Sequence, residues 1–193
     1  MLTQFFRSIN WVDVALVLLA GRIIFCSVKT GFITELFKLL GVFCALFVSL
    51  HYYAVWAALA VKKTTLPVSS LECVFFVGIW ALIALGVKLL RDGILLLFKV
   101  EATHQGFDKY GAGFLGASRA IFTASLVIFA LLLTRHEYVG KQVLSSWSYK
   151  IAGKVAPNTY KSLYDQLIGK LVAGEKFNAD VFAVVGGHGV NPK

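Results

Sequence analysis

The sequence predicts an all-α integral membrane protein with about four transmembrane helices, a short interfacial helix and a C-terminal amphipathic helical tail. The chain has 193 residues, of which 58% are hydrophobic and 15% charged, whereas soluble domains carry about 25% charged residues. Apolar stretches near the roughly 20 residues that cross a bilayer fill most of the first 134 positions. We therefore predict a transmembrane domain over residues 1–134 and a Lys-rich tail over 135–193.

The first two predicted spans are joined by a very short connection. The first runs from about Ile9 to Val28, and the second from about Phe32 to Val61, with only Lys29-Thr30-Gly31 between them. So short a link predicts a tight antiparallel hairpin. The second stretch is long enough to cross the bilayer and then continue along its surface.

The third and fourth predicted spans flank a short apolar block. The third runs from about Leu71 to Leu90 and ends in Arg91-Asp92-Gly93, a turn signal. The block from Ile94 to Val100 is too short to cross a bilayer, which predicts an interfacial helix. The fourth span, from about Ala112 to Leu133, is the most regular.

The tail scatters lysines among apolar residues, which indicates an amphipathic segment. Asn158 is predicted to cap a helix whose apolar residues follow helical spacing: Tyr160, Leu163, Tyr164, Leu167, Ile168 and Leu171. Such a helix either lies in the membrane interface or docks onto the bundle or a partner protein. Gly186-Gly187-His188-Gly189 predicts a flexible end.

The net charge of +9 favours a lipid surface over nucleic acid as partner. The basic residues lie in connections and in the tail, without the basic stripe and interleaved aromatic residues that nucleic-acid binding requires. Basic residues beside apolar spans suit anionic headgroups. Counting them on the two sides of a four-span topology does not fix the orientation, but the Lys-rich tail favours cytoplasmic termini.

Four charged residues lie within the first two predicted spans: Asp13, Arg22, Glu35 and Lys38. Each costs about 2.5 to 3.5 kcal/mol at the centre of a membrane helix on insertion scales. Asp13, at the start of its span, is expected to be an interfacial helix cap. Glu35 is expected to pair with Arg22 across the hairpin or with Lys38 at i, i+3. A structural role and a proton, ion or docking role both stay open.

Small residues recur every fourth position in the fourth span: Ala112, Gly116, Ala120 and Ala124. Such a face lets helix backbones approach closely in a bilayer, where van der Waals packing drives association. Packing within one bundle and self-association into a homo-oligomer give the same sequence pattern. We expect packing within the bundle.

No catalytic, cofactor or metal motif is visible in the sequence. The histidines are isolated, and neither His-Glu-x-x-His, Cys-x-x-Cys nor Gly-x-Ser-x-Gly occurs. Cys26, Cys44 and Cys73 lie in apolar runs, where a free thiol behaves as a small hydrophobe. We therefore expect no enzyme activity, no cofactor and no metal site.

Several motifs, in their order and spacing, resemble the bacterial colicin V production protein (CvpA) family over about Asn10 to Leu133. Trp11-Val12-Asp13 opens the first span and Gly31-Phe32-Ile33-Thr34-Glu35 the second, while Asp108-Lys109 precedes Gly116-Ala117-Ser118-Arg119. Ala112 and Ala120 stand where the family tends to have glycine, and Arg22 and Lys38 have no place in the family pattern. The motif residues are Trp11, Asp13, Gly31, Phe32, Glu35, Asp108, Gly116 and Arg119.

The resemblance implies a multi-pass bacterial inner-membrane protein, without known catalytic activity, associated with colicin V production and export and with envelope homeostasis. One hypothesis is an accessory protein whose partners, envelope or secretion proteins, dock on the first hairpin, the small-residue face or the tail. The alternative is a small transporter or channel that uses Glu35 with Arg22 or Asp13 as a charge relay. A membrane enzyme is the weakest hypothesis, because no nucleophile and base are paired in the sequence.

Overall fold

Four long helices form the body of the protein. The structure is a computed structural model that describes residues 10–97, 105–168 and 177–186. The long helices are α1 (Trp11–Thr30), α2 (Phe32–Val61), α3 (Val68–Leu97) and α4 (Gln105–Leu133). All four are long and apolar enough to cross a membrane. The predicted all-α membrane fold is confirmed, and the second span has the predicted bounds.

The tail folds into short helices that pack on the bundle at the end where α1 begins and α4 ends. They are α5 (Glu137–Ser145), α6 (Trp147–Ala152), α7 (Val155–Leu163), a π-helical turn (Tyr164–Ile168) and α8 (Asp180–Val185). Tyr160 of α7 is fully buried, and its hydroxyl lies 2.8 Å from Nδ1 of His51 in α2. The structure therefore favours docking on the bundle over a place in the membrane interface. Leu171 and Gly187 to Gly189 lie outside the described residues.

The predicted N-cap at Asn158 is wrong. Asn158 lies inside α7, which begins at Val155, and its backbone N–H donates to the Lys154 carbonyl at 3.0 Å. The helix starts earlier because Pro157 falls in its first turn, where a missing N–H costs no hydrogen bond. Ser125 of α4 accepts the N–H of Ala156 at 2.8 Å, so the bundle itself satisfies this helix end.

The predicted tight hairpin between the first two spans is also wrong. α1 packs mainly on α4, whereas α2 lies between α3 and α4, so α1 and α2 meet only near their connection. Gly31 forms this connection with φ +83° and ψ 156°, a conformation that glycine adopts far more readily than other residues. A one-residue link in this conformation lets the two helices diverge.

The predicted turn at Arg91-Asp92-Gly93 does not end α3, which continues to Leu97. Residues 94–97 therefore belong to α3 and not to a separate interfacial helix, while 98–100 lie outside the described residues. Arg91 donates to Oδ1 of Asp92 through Nε at 2.8 Å and through a terminal nitrogen at 2.5 Å, so the two charges are paired locally. A glycine costs a helix interior only about 1 kcal/mol relative to alanine.

The apolar core lies between the four long helices and the tail, with most of its residues on α2, α4 and the tail. Tyr53, Phe76 and Phe129 form an aromatic cluster with ring centroids 5.1 to 6.1 Å apart, and all three are buried. Large apolar side chains elsewhere on the long helices are exposed, such as Leu82 at 69% and Phe114 at 74%. Apolar surface of this kind is typical of helices that face lipid.

The small-residue face of α4 is buried within the bundle. A Cβ atom added at Gly116 would lie only 2.3 Å from Cβ of Ser27 in α1. Glycine at this position therefore sets how closely α1 and α4 approach. At Gly113, one turn earlier, an added Cβ would lie 3.6 Å from the nearest atom, a Val28 methyl carbon.

We expect Gly116→Ala to destabilise the protein by about 1 to 3 kcal/mol. The Ser27 Cβ atom is fixed to the backbone, so α1 and α4 must move apart to admit the new methyl group. The measurement is the thermal unfolding midpoint of the purified protein in mild detergent.

Gly113→Ala is the matched control, because its new methyl group makes only an ordinary van der Waals contact. It should leave the midpoint unchanged or raise it slightly through helix propensity. Equal loss of stability in both variants would contradict the close approach at Gly116.

Candidate functional site

Glu35 is the centre of a buried cluster of polar side chains at the end of the bundle where α1 passes into α2. Its side chain is 0% exposed. Lys38 lies 2.6 Å from its Oε1, and Arg119 of α4 lies 3.2 Å from its Oε2. The hydroxyls of Ser27 and Thr30 in α1 donate to Oε2 and Oε1 at 2.9 and 2.6 Å.

The cluster satisfies both oxygens of this carboxylate. A buried carboxylate is tolerated when opposite charges and hydrogen bonds replace its hydration, and here each oxygen has one cation and one hydroxyl. Arg119 also donates to the Ser27 hydroxyl at 3.2 Å. Because the partners come from α1, α2 and α4, the Glu35 cluster joins three helices.

Asp108 caps α2 at the same end of the bundle. Its Oδ1 accepts the backbone N–H of Phe32 at 2.6 Å, which satisfies a free donor in the first turn and places a negative charge at the positive end of the helix dipole. A Cβ at Gly31 would lie 2.9 Å from Oδ2 of Asp108. Six motif residues therefore meet at this end: Gly31, Phe32, Glu35, Asp108, Gly116 and Arg119.

Asp13 lies near the start of α1, at the opposite end, and caps a helix other than its own. Asn10 caps α1 by accepting the N–H of Val12 at 3.0 Å. Asp13 instead accepts the backbone N–H groups of Trp147 and Ser148 at 3.1 and 2.7 Å, in the first turn of α6. Asp13 therefore ties the tail to α1. The motif residue Trp11, two positions earlier, is 43% exposed.

The structure does not bring Arg22 and Glu35 together. Arg22 is exposed and makes no ion pair within the described residues. It lies five positions from Ser27, about 140° around the helix axis, so it points away from the face of α1 that contacts Glu35. Arg119, which sequence reasoning named only as a motif residue, takes this place. It is the only charged residue between Ala112 and Leu133, a signal that a buried partner needs it.

Polar contacts hold the tail against itself and the bundle. Asn178 donates through Nδ2 to the Leu50 carbonyl at 2.8 Å, and the Tyr149 hydroxyl donates to the Val185 carbonyl at 2.7 Å. Burial raises the pKa of Tyr149. The described residues contain no group of three or more His, Cys, Asp and Glu side chains that could hold a metal ion.

Four apolar helices, three of them joined by a buried ion cluster, and a tail docked at one end define a multi-pass α-helical membrane protein. Residues 12–157 match the family described as colicin V production protein, and the chain belongs to that family. The match continues past Leu133, where the sequence motifs end, through α5 and α6 into α7. Comparisons with curated proteins and with solved structures give no significant match.

We expect Arg119→Met to destabilise the protein by about 3 kcal/mol or more, because it leaves Glu35 buried without its partner from α4. Lys38→Met should cost less, since Lys38 is 23% exposed and belongs to the same helix as Glu35. Unfolding midpoints in detergent measure both effects. Arg22→Met is the control and should behave as wild type; a loss as large as that of Arg119→Met would contradict the assignment.

Asp13→Ala should loosen the tail by removing the acceptor of the Trp147 and Ser148 N–H groups, while Ser146 still accepts the N–H of Tyr149. Loss of a cap costs about 1 kcal/mol, equivalent to about fivefold more frequent opening. Trypsin cleavage after Lys150 and Lys154, followed by mass spectrometry, should accelerate by that factor. Glu137→Ala removes a carboxylate from an exposed pair, which contributes little. Equal acceleration in this control would count against the cap.

Proposed function

We propose that the protein is a non-enzymatic accessory protein of the bacterial inner membrane that supports toxin production or export and envelope homeostasis through partner proteins. Membership of the colicin V production protein family supports this role and this location. The observation that carries the partner-binding part is an apolar groove of about 300 Å³ between α1 and α4, closed at one end by α6.

The groove has the composition of a helix-docking surface. Ala20 of α1 and Ala117 of α4 line it and are partly exposed, and small residues let a partner helix approach closely in a membrane. Trp147 borders the groove and is 64% exposed. Aromatic residues are enriched at protein interfaces and often contribute much of the binding energy. A transmembrane helix of an envelope or secretion protein, or of a second copy, fits this chemistry.

The Glu35 cluster supports a structural role for the intramembrane charges. Both oxygens of the carboxylate are engaged, and each has a cation and a hydroxyl. A carboxylate held in this way joins helices without any change of protonation. The accessory hypothesis therefore needs no charge movement across the membrane.

Trp147→Ala should reduce copurification of envelope or secretion proteins with the tagged protein, extracted in mild detergent and identified by mass spectrometry. The truncation removes the exposed aromatic residue beside the groove. The same variant should fail to restore toxin secretion in a strain that lacks the gene. Leu82→Ala is the control, because Leu82 is 69% exposed on α3 and lies outside the groove. Full copurification and secretion with Trp147→Ala would refute docking at this groove.

The lysines of the tail support cytoplasmic termini. The tail packs at the end of the bundle where α1 begins and α4 ends, and it carries Lys141, Lys150, Lys154 and Lys161. Basic residues beside membrane spans favour the cytoplasmic side. A green fluorescent protein fused after the tail should therefore fluoresce, whereas alkaline phosphatase at the same position should be inactive. The opposite pattern would reverse the proposed orientation.

A small transporter or channel is the second candidate, favoured by one observation. The buried Glu35 carboxylate is bonded to Lys38 and Arg119, which also line a cavity of about 170 Å³. In this hypothesis Glu35→Gln abolishes proton or ion flux in proteoliposomes while insertion and folding persist. Equal flux in wild type and Glu35→Gln would exclude the charge relay.

A further inference from the structure

The cavity beside the Glu35 cluster combines cationic and apolar walls. It lies between α2, α3 and α4 and has a volume of about 170 Å³. Four cationic side chains line it: Lys38, Lys88, Arg91 and Arg119. The remaining walls are apolar side chains such as those of Phe37 and Val87. A water molecule occupies about 30 Å³ of liquid, so the cavity has room for a group the size of a phosphate.

The carboxylates paired with these cations leave an excess of positive charge. Glu35 is shared by Lys38 and Arg119, and Asp92 pairs with Arg91. Within the described residues Lys88 has no ion-pair partner. Four cations against two carboxylates leave a net charge of +2 around the cavity. Lys88 is exposed and lies on a helix long and apolar enough to cross a membrane, where unbalanced positive charge is costly, so an anion would offset that cost.

Arg119 also brings a guanidinium group to the cavity wall. One of its terminal nitrogens bonds to Glu35 and Ser27. Phosphate oxygens are strong acceptors for guanidinium groups, which bind them through two parallel hydrogen bonds.

Arg91 is free to exchange its partner. Asp92 is the next residue in the chain, and its side chain is 46% exposed, so this pair lies at the surface of the bundle and contributes little to its stability. A phosphate can therefore replace Asp92 at Arg91.

We propose that this cavity binds the headgroup of a membrane lipid that ends in a phosphate monoester, with Lys88, Arg91 and Arg119 around the phosphate. A monoester carries about 1.5 to 2 negative charges at neutral pH, which matches the excess of +2 better than the single charge of a diester. The apolar walls lie on transmembrane helices and suit the hydrocarbon end of a lipid. This assignment goes beyond the accessory role and does not depend on it.

The test is native mass spectrometry of the purified protein titrated with phosphatidic acid, phosphatidylglycerol and phosphatidylcholine of identical acyl chains. We expect phosphatidic acid to bind about tenfold more tightly than the other two lipids. Lys88→Gln and Arg91→Gln should each weaken its binding about tenfold. Lys88→Arg should retain binding.

Arg22→Gln is the matched control, because it removes the same charge from an exposed position outside the cavity. It should bind phosphatidic acid as wild type does. Because Lys88 makes no ion pair in the described residues, Lys88→Gln should keep the wild-type unfolding midpoint. A loss of binding in that variant therefore reports the site and not the fold.

Three results would overturn the proposal. The first is wild-type affinity for phosphatidic acid in both Lys88→Gln and Arg91→Gln. The second is an equal loss in Arg22→Gln, which would indicate general attraction to anionic lipid. The third is displacement of the lipid by inorganic phosphate at equal concentration, which would assign the cavity to free phosphate. The copurification experiment at the groove can fail while this one succeeds, so the two proposals are tested separately.

Discussion

Burial of the Glu35 carboxylate is the constraint on which this end of the bundle depends. A carboxylate that is 0% exposed requires hydrogen bonds and opposite charge, and α2 alone supplies only Lys38. The remaining partners must come from α1 and α4, which fixes the distance between these helices. Gly116 follows from this requirement, since any larger residue would collide with Ser27. Most residues of the family motif therefore help to bury the Glu35 carboxylate.

The same constraint explains why α1 lies on α4 and not along α2. A one-residue link would ordinarily bring consecutive helices together, but Ser27 and Arg119 must meet at the Glu35 carboxylate. Gly31 allows α1 and α2 to diverge. Asp108 of α4 caps the N-terminus of α2 by accepting the N–H of Phe32. At the other end of α1, Asp13 performs a similar task by capping α6. Each motif carboxylate thus contacts a helix other than its own.

The sequence predicted the spans well because hydropathy and length depend on local composition alone. The predicted bounds of the second span, Phe32 and Val61, are those observed in the structure. The partners of the charged residues were harder to predict, because they depend on which face of each helix turns toward its neighbours. Arg22 lies on the side of α1 that faces away from Glu35. The errors at Asn158 and Arg91 have another cause. Both residues are of types that often mark helix boundaries. In α7, the N–H of Asn158 is bonded within the helix and Ser125 of α4 accepts the N–H of Ala156. In α3, Arg91 pairs with Asp92 and the helix continues.

Structural and binding roles of the intramembrane charges are compatible in this fold. Glu35 holds Lys38 and Arg119 in place, yet one carboxylate neutralises only one of these two cations. The interaction that joins the helices therefore also fixes positive charge beside the cavity that Lys88 and Arg91 complete. Arg119 lies between the Glu35 carboxylate and the cavity, and this position connects the stability of the bundle to the proposed recognition of an anion.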